Sequence, residues 1–173
     1  MRPLWHAAPF LSLLLTQGLA AQDTTAYRVA SLSAFLFKQT TGRIDTTDLL
    51  ALHNREPFNT NIGAGLAGGS PSGATFVAVQ LTGPYHLDET GHRSGPFAGD
   101  TSHTLQLTAQ IDGRTVLERA VRLRSLFSEE RQVWVPFVIY GTGCGVLKLT
   151  ATLLREGQPD ATLERSVKFR CGE

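Results

Sequence analysis

The stretch Thr104-Leu105-Gln106-Leu107-Thr108-Ala109-Gln110-Ile111-Asp112-Gly113-Arg114-Thr115-Val116-Leu117 decides the fold. Leu105, Leu107, Ala109 and Ile111 alternate with Thr104, Gln106, Thr108 and Gln110, the period of a strand with one buried face. Asp112-Gly113 is a turn signal, and Leu117, Val121 and Leu123 then line one side of a second strand over Thr115 to Arg124. Opposed residues of an antiparallel pair share a face, which tests the register. A two-residue turn at Asp112-Gly113 sets Leu107 against Glu118 and mixes the faces. A three-residue loop, Asp112-Gly113-Arg114, sets Ile111 against Thr115, Ala109 against Leu117 and Leu105 against Val121, and is the expected form.

Working outward, the same alternation recurs in both directions. Val77, Val79 and Leu81 mark a strand over Ala74 to Thr82, and an earlier one spans about Tyr27 to Gln39. Val133, Val135, Phe137 and Ile139 mark another, followed by Leu147, Leu149, Ala151 and Leu153, and finally Leu163, Val167 and Phe169. About seven strands joined by short turns predict an all-β, antiparallel two-sheet sandwich. Over Ala74 to Phe169 this pattern is similar to immunoglobulin-like and fibronectin type III sandwiches, a likeness of strand count and alternation that carries no activity with it.

Two irregular stretches interrupt the pattern. Residues 40–73 lose the alternation, although Asp45-Thr46-Thr47-Asp48 before Leu49, Leu50 and Leu52 reads as an N-cap and a short helix. Residues 83–102 hold Pro84, Gly91, Gly95, Pro96 and Gly99. Long loops on a strand scaffold are where function concentrates.

Residues 1–21 read as a cleaved secretory signal. Arg2 supplies a positive start, Phe10 to Leu15 an apolar run, and Gly18-Leu19-Ala20-Ala21 a small-residue exit. Residues 22–173 are then one β-sandwich domain, secreted or periplasmic, with no later apolar run near the roughly 20 residues of a membrane span. Loss of Arg2 lowers Lys plus Arg from 16 to 15 against 15 Asp plus Glu, so the processed chain is neutral. A neutral chain lacks the electrostatic footprint of a nucleic-acid binder.

Cys144 and Cys171 are the chain's two cysteines, and in an exported protein they are expected to form a disulfide. Apolar matching in the last hairpin sets Leu147 against Phe169, Leu149 against Val167 and Leu153 against Leu163, about a polar turn from Glu156 to Ala161. That register leaves Cys144 facing Gly172, so a bulge within Gly143-Cys144-Gly145 is expected to bring the sulfurs level. The loop-entropy model makes such a crosslink worth about 3.5 kcal/mol.

The signals for chemistry are sparse. Gly63, Gly65 and Gly68 fit a G-x-G-x-x-G spacing, but neither the strand before nor the helix after that dinucleotide binding requires is present. His86, Asp88, Glu89 and His92, with Asp100 and His103 nearby, are the metal-capable cluster, and their spacing matches no dedicated motif. No nucleophile elbow or zinc-protease helix occurs. Asp88, Glu89, Asp100, Glu129 and Glu130 leave a paired-carboxylate hydrolase as the third reading. No cofactor is implied.

Trp134, Pro136, Val138 and Tyr140 alternate with the inward set of Val133 to Ile139, so this strand is apolar on both faces. Cover by other parts of the chain is the expected state, since monomers seldom expose large apolar patches. If the second face is open, Trp134 and Tyr140 are the binding platform. The sequence thus points to an exported, non-catalytic β-sandwich that binds a protein or glycan partner, with a carbohydrate-binding or metal-dependent accessory domain of the cell surface as the alternative.

Overall fold

The computed structural model describes residues 26–38, 41–52, 73–87, 90, 91, 93–97, 100–123 and 131–169. The expected leader, the G-x-G-x-x-G stretch, Asp88, Glu89, His92, Glu129, Glu130 and Cys171 lie outside them. The strands are β1 (Arg28–Lys38), β2 (Arg43–Ile44), β3 (Ala74–Thr82), β4 (His86–Leu87), β5 (Arg93–Ser94), β6 (His103–Ile111), β7 (Arg114–Arg122), β8 (Gln132–Tyr140), β9 (Gly145–Arg155) and β10 (Gln158–Phe169). All seven strands expected from alternation are present, and the short β2, β4 and β5 are additional.

Two antiparallel sheets of four strands face one another, ordered β2-β1-β3-β8 and β10-β9-β6-β7. The seven long strands therefore change sheet three times, after β3, after β7 and after β8. The fourth long strand lies beside the third, on the sheet that holds the sixth and seventh, which is the C′ position of the immunoglobulin-like sandwich. Inward residues of both sheets make one core: Leu32 and Ala34, Val77, Val79 and Leu81, Val133, Val135, Phe137 and Ile139 from one side, and Leu105, Leu107, Ala109, Leu147, Leu149, Ala151, Leu153, Val167 and Phe169 from the other. The alternation of two is what allows each strand to place every second side chain there.

The two hairpins of the second sheet are built alike, and both differ from their expected form. Asp112 (φ 47°) and Gly113 (φ 82°) make a two-residue left-handed turn, as do Glu156 (φ 52°) and Gly157 (φ 81°). Each turn starts its strands one residue out of the register the core requires. A bulged residue corrects this at the same distance beyond the turn, Val116 between Thr115 and Leu117 in β7 and Asp160 between Pro159 and Ala161 in β10. Hence Ala109 faces Leu117 and Leu105 faces Val121 as expected, while Ile111 faces Arg114 and not Thr115.

In the last hairpin the expected register is overturned by two residues. Val167 faces Leu147, Phe169 faces Gly145 and Leu163 faces Ala151. Gln158 to Asp160, which read as loop, are the exposed start of an edge strand, so the turn is shorter than expected. A shift of two keeps every side chain on its own face, which is why apolar matching alone could not reveal it. Within the described strands the register break lies at Asp160, and the pairing beside Cys144, where a bulge was expected, involves residues 170–172, outside the described residues. Gly145 does take a conformation that favours glycine (φ 122°), and Asp112 Oδ1 accepts from Val146 N at 2.9 Å, tying the β6–β7 turn to the start of β9. No cysteine thiol is free among the described residues.

The short helix expected after Asp48 is a single 3-10 turn, Leu49–Ala51. Asp48 caps it by accepting from Leu50 N at 3.1 Å, and the same oxygen accepts from Ala34 N at 2.9 Å, so the cap also anchors the segment to β1. Pro136 sits mid-strand in β8, which pairs only with β3 among the described residues, and an edge strand is where a residue without an N–H fits. No helix among the described residues is long and apolar enough to cross a membrane.

Candidate functional site

The outer face of the first sheet is the part of the molecule that departs most from an ordinary solvated surface. Its side chains form rows across the strands, fixed by the pairing of β1 with β2 and β3, and of β3 with β8. Ile44, Phe37, Ala74 and Tyr140 make one row, and Phe35, Phe76 and Val138 the next. Ser33, Ala78 and Pro136 follow, then Ser31, Gln80 and Trp134. The face therefore grades from aromatic and aliphatic at the Tyr140 end to amide and hydroxyl at the Trp134 end.

Phe35 and Phe76 pack at 6.4 Å between ring centroids, tilted by 45°, an edge-biased geometry that aromatic pairs favour. Tyr140 is 67% exposed, Trp134 45% and Ile44 44%. The cover expected for β8 is thus not seen over Trp134 and Tyr140 among the described residues. At the polar end Ser31 Oγ donates to Gln80 Oε1 at 2.9 Å, and Gln80 Nε2 donates to Gln132 Oε1 at 2.5 Å. Arg28 Nε donates to Thr82 Oγ1 at 2.9 Å in the row beyond. These bonds fix the amides beside the Trp134 ring.

The second sheet supplies a comparison within the same molecule. Its outer face carries Gln106, Thr108, Gln110, Thr150, Thr152 and Lys148 over β6 and β9, with Val146 exposed at the start of β9. Gln106 Nε2 donates to Glu118 Oε1 at 2.8 Å, and Lys148 Nζ lies 3.2 Å from Glu164. Hydroxyls, amides and ion pairs suit contact with water. The first sheet's rows of Phe, Val, Pro, Trp and Tyr do not.

Alternation along β8 alone reveals Trp134, Pro136, Val138 and Tyr140. It misses Ile44, Phe35, Phe37 and Phe76, because those rows exist only once β1 and β3 are known to be neighbours of β8. The alternation Ser31, Ser33, Phe35, Phe37 within β1 is the signal that was available.

The metal-capable cluster is not assembled among the described residues, where no group of three suitable side chains comes together. His86 belongs to β4, opposite Ser94 of β5, while Asp88, Glu89 and His92 lie outside the described residues. Asp100 and His103 do meet. Asp100 Oδ1 accepts from Ser102 N and Ser102 Oγ, both at 2.7 Å, and Oδ2 lies 2.5 Å from His103 Nδ1. Burial works to raise the Asp100 pKa, but the Ser102 and His103 hydrogen bonds outweigh it and hold this carboxyl below its ordinary value. Of the carboxylates considered for hydrolysis, Asp100 is the one described, and its oxygens are engaged with its own loop.

No family model matches this chain, and no curated protein matches it. Among solved structures it is similar to a β-glucuronidase of Bifidobacterium dentium complexed with coumarin-3-O-glucuronide, at 8% identity and a TM-score of 0.41, covering 84% of this chain and 18% of that one. A second, provisionally described as a β-galactosidase from Bacteroides fragilis, has 16% identity and a TM-score of 0.33, covering 56% of this chain and 14% of that one. This chain thus spans less than a fifth of either structure, and the resemblance is too distant to inform the site.

Proposed function

We propose that the chain is an exported, non-catalytic binding module, bridged by Cys144 and Cys171, whose contact surface is the outer face of the first sheet. The observation that carries this reading is the contrast between the two outer faces, one mostly Thr, Gln and ion pairs with the isolated valines Val116 and Val146, the other joining Phe35, Phe76, Val138, Pro136, Trp134 and Tyr140 in adjacent rows. Exposed rings set in a contiguous apolar patch mark interaction sites, and aromatic residues dominate the energetics of interfaces. The partner that best fits the Tyr140 end is another protein presenting an apolar surface.

A photo-crosslinking residue placed at Tyr140 in the native host tests it, with Gln106 on the second sheet as the control position. A discrete adduct at position 140 and none at 106 supports the reading. Equal labelling at both positions overturns it.

One observation favours a second reading, a glycan as the bound partner. Trp134 stands beside the fixed amides of Gln80 and Gln132, and a ring flanked by hydrogen-bonding groups suits a sugar, which offers an apolar face and polar edges. Oligosaccharides that shift the emission of Trp134, the chain's one tryptophan besides Trp5 in the leader, would favour it.

A further inference from the structure

We propose that the cleft between the start of β7 and the end of β8 receives an acidic segment of a protein partner, a carboxylate set beside an aliphatic or aromatic side chain. The inference rests on the reading of the first sheet's outer face as the contact surface, since Tyr140 belongs to both. β7 and β8 lie at the edges of opposite sheets. Between them is an open cleft of about 520 Å³, lined by Ile111, Arg114, Thr115, Val116, Tyr140 and Gly141.

Its chemistry is that of an apolar slot with one cation. Val116, left out of the ladder by the bulge and isolated on its own sheet, is 38% exposed and here shares a lining with the Tyr140 ring. Ile111, partly buried against the core, continues the apolar wall. Arg114 opposes Ile111 at the end of the ladder and is exposed. Its guanidinium has no ion pair among the described residues, and neither do those of Arg119 and Arg122 further along β7. The carboxylates of this hairpin are engaged elsewhere: Asp112 accepts from Val146 N, and Glu118 accepts from Gln106 Nε2. The edge of the sandwich beside Tyr140 therefore favours an anion.

A guanidinium is a planar fork that holds a carboxylate through two parallel N–H···O bonds, and the Thr115 hydroxyl is a further donor on the same wall. One cation balances one carboxylate. A phosphate brings about two charges and calls for more donors than this cleft holds. The apolar wall suits the side chain next to the acid. A partner seated on the Tyr140 row thus lays its acidic flank in the cleft, where a rim charge speeds encounter and fixes orientation while the rings supply the contact area.

A displayed library of random peptides, panned on the purified protein at low salt, tests this. Peptides recovered on wild type should carry Asp or Glu next to Leu, Ile, Phe or Tyr well above the library frequency. Changing that acid to its amide should weaken them roughly three- to tenfold, and rising salt should erase the difference. Arg114→Gln should weaken the acidic peptides by the same factor and leave the amide forms unchanged. Arg122→Gln, exposed on the same strand but outside the cleft, should alter neither. No recovered peptide, no excess of acids, or equal losses on Arg114→Gln and Arg122→Gln overturns the proposal. A discrete crosslink from position 140 alongside any of those results strikes the cleft and leaves the contact face standing, whereas Arg114-dependent acidic peptides with equal labelling at 140 and 106 strike the face and leave the cleft.

Discussion

Gly83 and Tyr27 fit together only because Gly83 has no side chain: a Cβ at that position would stand 2.5 Å from Tyr27 Cδ1 and 3.2 Å from Pro96 Cβ. Tyr27 in turn packs at a tilt against Phe97, 4.6 Å between ring centroids, and against His103. One small residue thus lets an aromatic ring close the end of the core. Gly83→Ala should displace that ring and destabilise the fold by about 1–3 kcal/mol, the usual cost of overpacking. Urea unfolding measures it, and a midpoint equal to wild type would show that the ring yields freely.

A second close pair joins the hairpins. At Gly145 an added Cβ would meet the Asp112 carboxylate at 2.3 Å, and the backbone there has φ 122°. Gly145→Ala therefore suffers twice, from strain and from loss of the Asp112 to Val146 hydrogen bond. Asp112→Ala loses the bond and sets an alanine in the left-handed region, where Asp is better tolerated, and should cost about 1–2 kcal/mol. The expected order, with Gly145→Ala the worse, is checked by chemical denaturation of the two variants.

Acid should weaken the fold through Asp45 and Asp100. Asp45 is held below its ordinary value first by the Thr47 N–H at 3.1 Å, against burial, with Lys38 at 3.3 Å assisting. For Asp100 burial opposes the shift, and the bonds from Ser102 and His103 carry it downward. A carboxyl with a lowered folded value lends stability above its unfolded value and loses it as pH falls through the folded one. Both losses should therefore appear below the ordinary value of 3.8. Asp45→Asn should make the acid limb of the thermal midpoint shallower below about pH 4 and leave it unchanged at pH 7 apart from a constant offset.

Trp134→Ala and Tyr140→Ser should remove exposed rings at little cost to the fold, within about 0.5 kcal/mol each. Both should at the same time weaken partner capture. A large loss of stability in either would show the ring to be part of the core.

The bridge proposed between Cys144 and Cys171 is open to non-reducing peptide mapping of the purified protein. One crosslinked peptide and no alkylatable thiol are the expected outcome.

The sandwich was legible because alternation of two is a local signal, complete within each strand. Turn geometry was less so. Asp112-Gly113 read as a three-residue loop because the facing of Ala109 and Leu117 demanded an extra residue, and the chain supplies that residue as the bulge at Val116. Glu156-Gly157 was hidden because glutamate is not a usual left-handed turn residue, and because Gln158 to Asp160 are as polar as a loop while serving as an exposed edge. The aromatic face was half visible. β8 announces its own apolar rings, but Phe35, Phe76 and Ile44 join them only through pairing between strands far apart in sequence, which no local pattern contains.

Pro136 limits how the sandwich can be approached. Edge-strand prolines turn their missing donor outward, so a visiting strand that tried to extend the first sheet along β8 would find a gap in the middle of its ladder. Docking by backbone zippering, and with it uncontrolled stacking of copies edge to edge, is discouraged. What remains available is recognition flat against the rings, where side-chain shape, and not main-chain pairing, selects the visitor.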